Sequence, residues 1–139
     1  MPGRAWVTGP NVELALYADL ASLGSVELEG VIDTGASVIC VDSRIAKQLG
    51  LAATDRKLVQ MADGRIATTS VYTARMSVRA LGFDDLVQVC AIEMEFPSTR
   101  VLLGRSFLRN YIVNYNGPTE RFEFHETPDG EDFYLDHDE

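Results

Sequence analysis

The sequence predicts an all-β domain with one or two short helices, arranged as a closed or sandwiched barrel. Short runs alternate apolar and polar residues with a period of two, pairs rich in Gly, Asn, Asp and Pro punctuate them, and only two segments carry a helical pattern. A length of 139 residues suits one domain with a buried core. Apolar and charged shares of 46% and 24% are those of an ordinary soluble chain.

Val12, Leu14 and Leu16 alternate with Glu13 and Ala15, as on a half-buried strand. The run Val26-Glu27-Leu28-Glu29-Gly30-Val31-Ile32 alternates at first, then turns wholly apolar as it reaches Asp33. The better helix covers 43–49: Asp42 or Ser43 caps it, Ile45, Ala46 and Leu49 share a face, and Gly50 ends it. Residues 58–62, the pair Asp63-Gly64 and residues 65–78 read as a long hairpin, with Asp-Gly supplying the positive φ angles of a type I′ turn. Residues 86–92 predict a buried strand, and 104–109 a second, shorter helix. Residues 111–115, the turn Asn116-Gly117-Pro118 and residues 121–124 form a last hairpin. Residues 1–126 therefore predict the domain and 127–139 an acidic, flexible tail, where Glu131-Asp132 and Asp136-His137-Asp138-Glu139 gather negative charge.

A net charge of −9 argues against nucleic acid and anionic membranes, which select for clustered Lys and Arg. No apolar stretch approaches a membrane span, and no apolar block follows Arg4, so the expected compartment is the cytoplasm. Cys40 and Cys90 lie in apolar runs and predict buried free thiols rather than a disulfide. His125 and His137 are the only histidines, too few for a zinc site, so neither metal nor cofactor is expected. Trp6 is assigned to an end of the barrel or to a partner chain, and Tyr111, Tyr115, Phe122, Phe124 and Phe133 to the core or an interface. Arg56, Lys57, Arg65, Arg75 and Arg79 are dispersed, as on a solvated face.

The chemistry centres on Val31-Ile32-Asp33-Thr34-Gly35-Ala36-Ser37, which places one carboxylate on a tight turn directly after an apolar strand. Most Asp residues are solvated, so an acid held at the edge of a core stands out. Asp-Thr-Gly alone matches by chance in roughly a few per cent of chains this long, and its plain reading is a turn closed on its own backbone. Two companions narrow it. The Asp63-Gly64 hairpin follows, and then an apolar run, Val101-Leu102-Leu103, ends in Gly104-Arg105 and leads into Ser106-Phe107-Leu108.

An acid turn, a glycine-tipped hairpin and an apolar-apolar-Gly-Arg segment, in that order, resemble the retropepsin-like aspartic proteases. The likeness is greatest to the small stand-alone clan AA proteins of bacteria and archaea, and it spans about residues 11 to 125. It implies a homodimer with Asp33 of each copy at the two-fold axis. Two carboxylates in hydrogen-bond reach share one proton; the ionised one activates a water and the protonated one polarises the scissile carbonyl. It also implies that Thr34 locks the two turns across the axis and that Gly35 lets backbone N–H groups approach the acid. Ala36 stands where pepsin-type enzymes carry a hydroxyl, which implies a less acidic dyad and activity from mildly acidic to neutral pH. Met61, Ala62, Asp63 and Gly64 correspond to a flap, and Leu102, Leu103, Gly104 and Arg105 to the strand behind the acid turn and the helix start.

One departure is Ser37, where retroviral enzymes usually have an Asp that pairs with the Arg of Gly-Arg. Arg105 is thus left to Asp42 or to a backbone carbonyl. The segment after Leu108 is also longer than in those enzymes, which puts an interleaved terminal sheet in question. The expected function is an aspartic endopeptidase acting on extended, largely apolar peptides. A catalytically silent dimeric module that grips peptides by strand addition is the alternative, and a monomer with a purely structural Asp33 is a third reading.

Overall fold

The computed structural model of the protein describes residues 4–19, 21, 24–60, 64–94 and 100–126. In chain order these form β1 (Arg4–Thr8), β2 (Asn11–Tyr17), β3 (Ser25–Ile32), β4 (Ile39–Asp42), α1 (Ser43–Leu49), β5 (Ala53–Gln60) and β6 (Ile66–Val78). After a 3-10 turn at Arg79–Leu81 come β7 (Phe83–Ile92), β8 (Arg100–Leu103), α2 (Arg105–Leu108), β9 (Tyr111–Asn116) and β10 (Arg121–Glu126). Among the described residues no helix is long and apolar enough to cross a membrane.

The strands of the large sheet run β2-β3-β8-β4-β7-β6-β5, and a further β2–β6 pairing closes the first six into a barrel. The β3–β8 and β4–β7 pairs are parallel and the other pairs antiparallel, so the barrel is mixed. Strand β5 hangs on β6 outside the ring. A second sheet, β1-β10-β9, lies apart, with Val7 and Phe124 turned into the main core.

Sequence periodicity explains most of these elements. In β2, Val12, Leu14 and Leu16 are buried while Asn11 and Glu13 are exposed, the alternation expected of a strand with one wet face. Strand β4 is buried at every position, so it carries no alternation to recognise. The core joins Leu16, Val41, Met76, Val78, Val89, Val101, Leu103, Phe107 and Phe124. Ring contacts at 5.1–5.6 Å run from Phe83 through Phe107 and Tyr111 to Phe124, fastening the second sheet to α2.

Helix α1 forms as anticipated. The Asp42 carboxylate accepts from Arg44 N at 2.9 Å, and Gly50 closes the helix at φ 69°. Other expectations are corrected. Residues 4–8 pair with β10 as a strand, and Trp6 is 44% exposed with the Arg121 guanidinium over its ring. The predicted buried strand 86–92 starts at Phe83, and its Leu86 is 42% exposed. Only from Val89 onward does β7 gain β4 as a second neighbour. Arg75 is not simply solvated: it makes two 2.7 Å bonds to Asp84 and lies over the Tyr17 ring. Helix α2 starts one residue later and stops one residue earlier than predicted. Residues 127–139, including Phe133 and the acidic tail, lie outside the described residues.

Candidate active site

The acid turn is built where two distant segments meet. Strand β3 runs parallel to β8, with Val31 opposite Leu102 and Ile32 opposite Leu103, and Asp33 extends that ladder by donating its N–H to Leu103 O at 3.2 Å. The chain then reverses. Ala36 N bonds Asp33 O at 3.2 Å, and Gly35 N bonds the Asp33 Oδ1 at 3.0 Å. A Cβ on Gly35 would stand 3.2 Å from that same oxygen, tight enough to disturb the bond.

From the other side α2 abuts the turn. Arg105 N bonds Ala36 O at 2.8 Å and Ser106 N bonds Ser37 O at 3.0 Å. Gly104 makes this approach possible, since a Cβ there would lie 2.2 Å from Val38 O and 2.7 Å from Ala36 O. The Arg105 guanidinium donates to Thr34 O at 2.7 Å, so of the two partners proposed for it the backbone carbonyl is the one observed. Asp42 is engaged elsewhere. It accepts from Arg44 Nε at 2.9 Å and Nη2 at 2.5 Å, and the Arg44 hydrogen bonds hold its buried carboxyl below the usual carboxylate range.

Asp33 is half-buried and borders a cleft of about 550 Å³. Val38, Cys40, Val59, Ile92 and Leu102 form its apolar wall, while Gln60 and Arg105 add polar groups. Thr34 and Gly35 are exposed beside it. The cleft thus sets a carboxylate against an apolar trough, an arrangement suited to activating water next to an extended chain. Among the described residues no group of His, Cys, Asp or Glu is placed to hold a metal ion.

Comparison with known proteins decides the family. Residues 21–110, about two thirds of the chain, match the model of the gag-polyprotein putative aspartyl protease family. This chain belongs to the retropepsin-like aspartic proteases. The crystal structure of a retropepsin-like aspartic protease from Rickettsia conorii is similar to it with a TM-score of 0.56 at 17% identity, covering 89% of this chain and 91% of that one. The protease–reverse transcriptase of a foamy virus, with double-stranded DNA, is similar at a TM-score of 0.50 and 20% identity over 76% of this chain; the chain spans only 16% of that protein. The retroviral protease-like domain of Ddi1 from Leishmania major gives a TM-score of 0.48 at 13% identity, covering 90% and 98%. No curated protein matches. The fold is therefore retropepsin-like: mostly β, with a closed six-stranded mixed barrel and few helices.

Within this retropepsin-like fold the predicted site residues divide into two groups. Asp33, Gly35, Ala36, Leu102 and Arg105 meet at the cleft, and Thr34, Leu103 and Gly104 support them from behind or beside. The expected hairpin forms from β5 and β6, but the register of its described pairs is not that of a two-residue Asp63-Gly64 turn. Among the described residues Gln60 pairs with Ile66, whereas a type I′ turn at Asp63-Gly64 would pair Gln60 with Ala67. Gly64 does adopt a positive φ, 88°. Met61, Ala62 and Asp63 lie outside the described residues. Sequence reasoning missed Val38, Cys40, Val59 and Ile92 as cleft walls. Their apolar, β-rich runs were legible, but not which face of each strand turns toward the acid.

Proposed function

We propose that the protein is an aspartic endopeptidase whose working unit is a homodimer, with Asp33 of each copy forming the catalytic dyad. The observation that carries this reading is the placement of the Asp33 carboxylate: on a turn held by backbone bonds to β8 and α2, at the edge of a mostly apolar 550 Å³ cleft. One acid per chain supplies half of the acid–base pair, and the exposed Thr34-Gly35 turn beside it is free for a symmetry mate to approach. Of the two carboxylates, the ionised one takes a proton from the attacking water. The protonated one donates to the carbonyl oxygen, and the resulting gem-diol collapses to free acid and amine. The substrate is an extended peptide with aliphatic side chains, matched to Val38, Val59, Ile92 and Leu102, and with main-chain groups in reach of the outer edge of β5. Catalysis needs no cofactor in this scheme.

A peptide-library cleavage assay with Asp33→Asn tests it, combined with sedimentation of both proteins. The variant should lose activity by roughly 10³-fold or more while the dimer persists. Cleavage at the wild-type rate would refute the mechanism. Binding of a statine-containing peptide without turnover of any library member would favour the silent peptide-binding module instead.

A further inference from the structure

Cys40 and Cys90 are the two cysteines of the chain, and the endopeptidase scheme uses neither. They are nonetheless placed together. In the parallel β4–β7 pair Cys40 stands directly opposite Cys90, so both side chains leave the same face. Both belong to one small cluster with Val38, Val59 and Val71, separate from the main core. Neighbouring strands lie about 4.8 Å apart, inside the roughly 4.4–6.8 Å Cα separation a disulfide tolerates and short of its preferred value.

Each cysteine, though buried, also lines a cavity. Cys40 lines the Asp33 cleft, and Cys90 lines a second cavity of about 330 Å³, shared with Lys57. A small neutral oxidant can enter either. The two thiols are electrically unlike. Burial pushes the Cys40 thiol up to about 11, with Cys90 and the Asp33 charge adding to the rise. Burial raises Cys90 as well, but there Lys57 acts in the opposite direction. Cys90 is accordingly the better first nucleophile and Cys40 the resolving thiol.

We propose that Cys40 and Cys90 form an oxidisable dithiol beneath the cleft, closed to a disulfide by hydrogen peroxide and reopened by thiol reductants. The Cys90 thiolate sulfur attacks one peroxide oxygen, the O–O bond breaks, and the departing hydroxide takes up the proton Cys90 released and leaves as water. Cys90 is then a sulfenic acid. The Cys40 sulfur attacks the Cys90 sulfur, the S–O bond breaks, and the hydroxyl leaves as a second water with the Cys40 proton. The dithiol loses two electrons and the peroxide gains them. Closing the bond swings the Cys40 sulfur out of the cleft wall toward β7, away from its weak contact with Val38 O. This effect on the cleft rests on the peptide-cleft reading above; formation of the bond does not.

The test treats the full chain with hydrogen peroxide, blocks remaining thiols with N-ethylmaleimide, and maps peptides by mass spectrometry without reduction. The expected product is a Cys40–Cys90 linked peptide from a chain lighter by two hydrogens, restored by dithiothreitol. Sulfinic or sulfonic acid at either cysteine without the link, links only between two chains, or full alkylation would each overturn the proposal. Affinity for a statine-containing peptide is measured on both forms. Oxidation should weaken it roughly tenfold, the scale of one misplaced apolar group, and Cys90→Ala should abolish that response. Equal affinity of the oxidised and reduced forms would overturn the link to the cleft. A bond that forms in a chain binding no statine peptide in either state supports the dithiol and counts against the peptidase reading.

Discussion

The acid turn and the hairpin that borders the same cleft are held in opposite ways. Residues 33–37 are tied to β8 and α2 by main-chain bonds, and Arg105 adds a side-chain bond to Thr34 O. Among the described residues the hairpin's outer strand β5 is bonded on one edge only, and every residue in it except Val59 is exposed. Leu58 and Ile66 are 70% and 69% exposed. A segment with one bonded edge and little buried surface sits at the low end of local stability. The molecule therefore combines a firmly held acid turn with a loosely held hairpin, and substitutions in the two regions should be felt differently.

The largest effect belongs to the fixed side. Gly104→Ala forces a methyl group against Val38 O and Ala36 O and should cost about 3 kcal/mol or more in denaturant unfolding. A variant of wild-type stability would show that α2 separates from the acid turn freely, erasing the contrast. Next comes Asp42→Asn, which removes the charge facing Arg44 and should cost about 2 kcal/mol at pH 7. Because the folded carboxyl lies below its ordinary value, the gain is complete above the unfolded value of about 4 and is lost as pH falls through the lower folded one. Urea midpoints of the two proteins should therefore stay apart above about pH 4 and draw together only as pH falls below it; a constant gap would argue against the ion pair as the cause.

On the yielding side the changes are smaller. Gly64→Ala imposes a side chain at φ 88° and should cost about 1 kcal/mol, read mainly as a raised KM for peptide. Should kcat fall while KM stays fixed, the hairpin would not be acting as a cover for substrate. Leu58→Ser should alter stability by no more than about 0.5 kcal/mol, and a larger loss in calorimetry would mean that this face is packed in solution.

Locally determined features were legible. Asp42 and Gly50 bracket α1 because caps act within a turn, and the apolar strand leading to Asp33-Thr34-Gly35 announces its own end. What escaped depends on pairing across the chain. Strand β1 is short and defined by β10, more than a hundred residues away. The register of β5 on β6 differs by one position from the simplest turn, so the sequence named the hairpin but not its faces. The adjacency of Cys40 and Cys90 likewise arises only when β4 lies parallel to β7. Parallel neighbours leave no turn signal between them.

Arg105 follows Thr34 by 71 positions, and the backbone bonds from Arg105 and Ser106 to Ala36 and Ser37 span similar distances. Translation at about 5–20 residues per second leaves the acid waiting roughly 4–14 s for that partner segment to emerge from the ribosome. Over that interval the nascent chain has Asp33 but not the scaffold that aims it. The timing of synthesis thus delays assembly of the acid turn until most of the domain is already made.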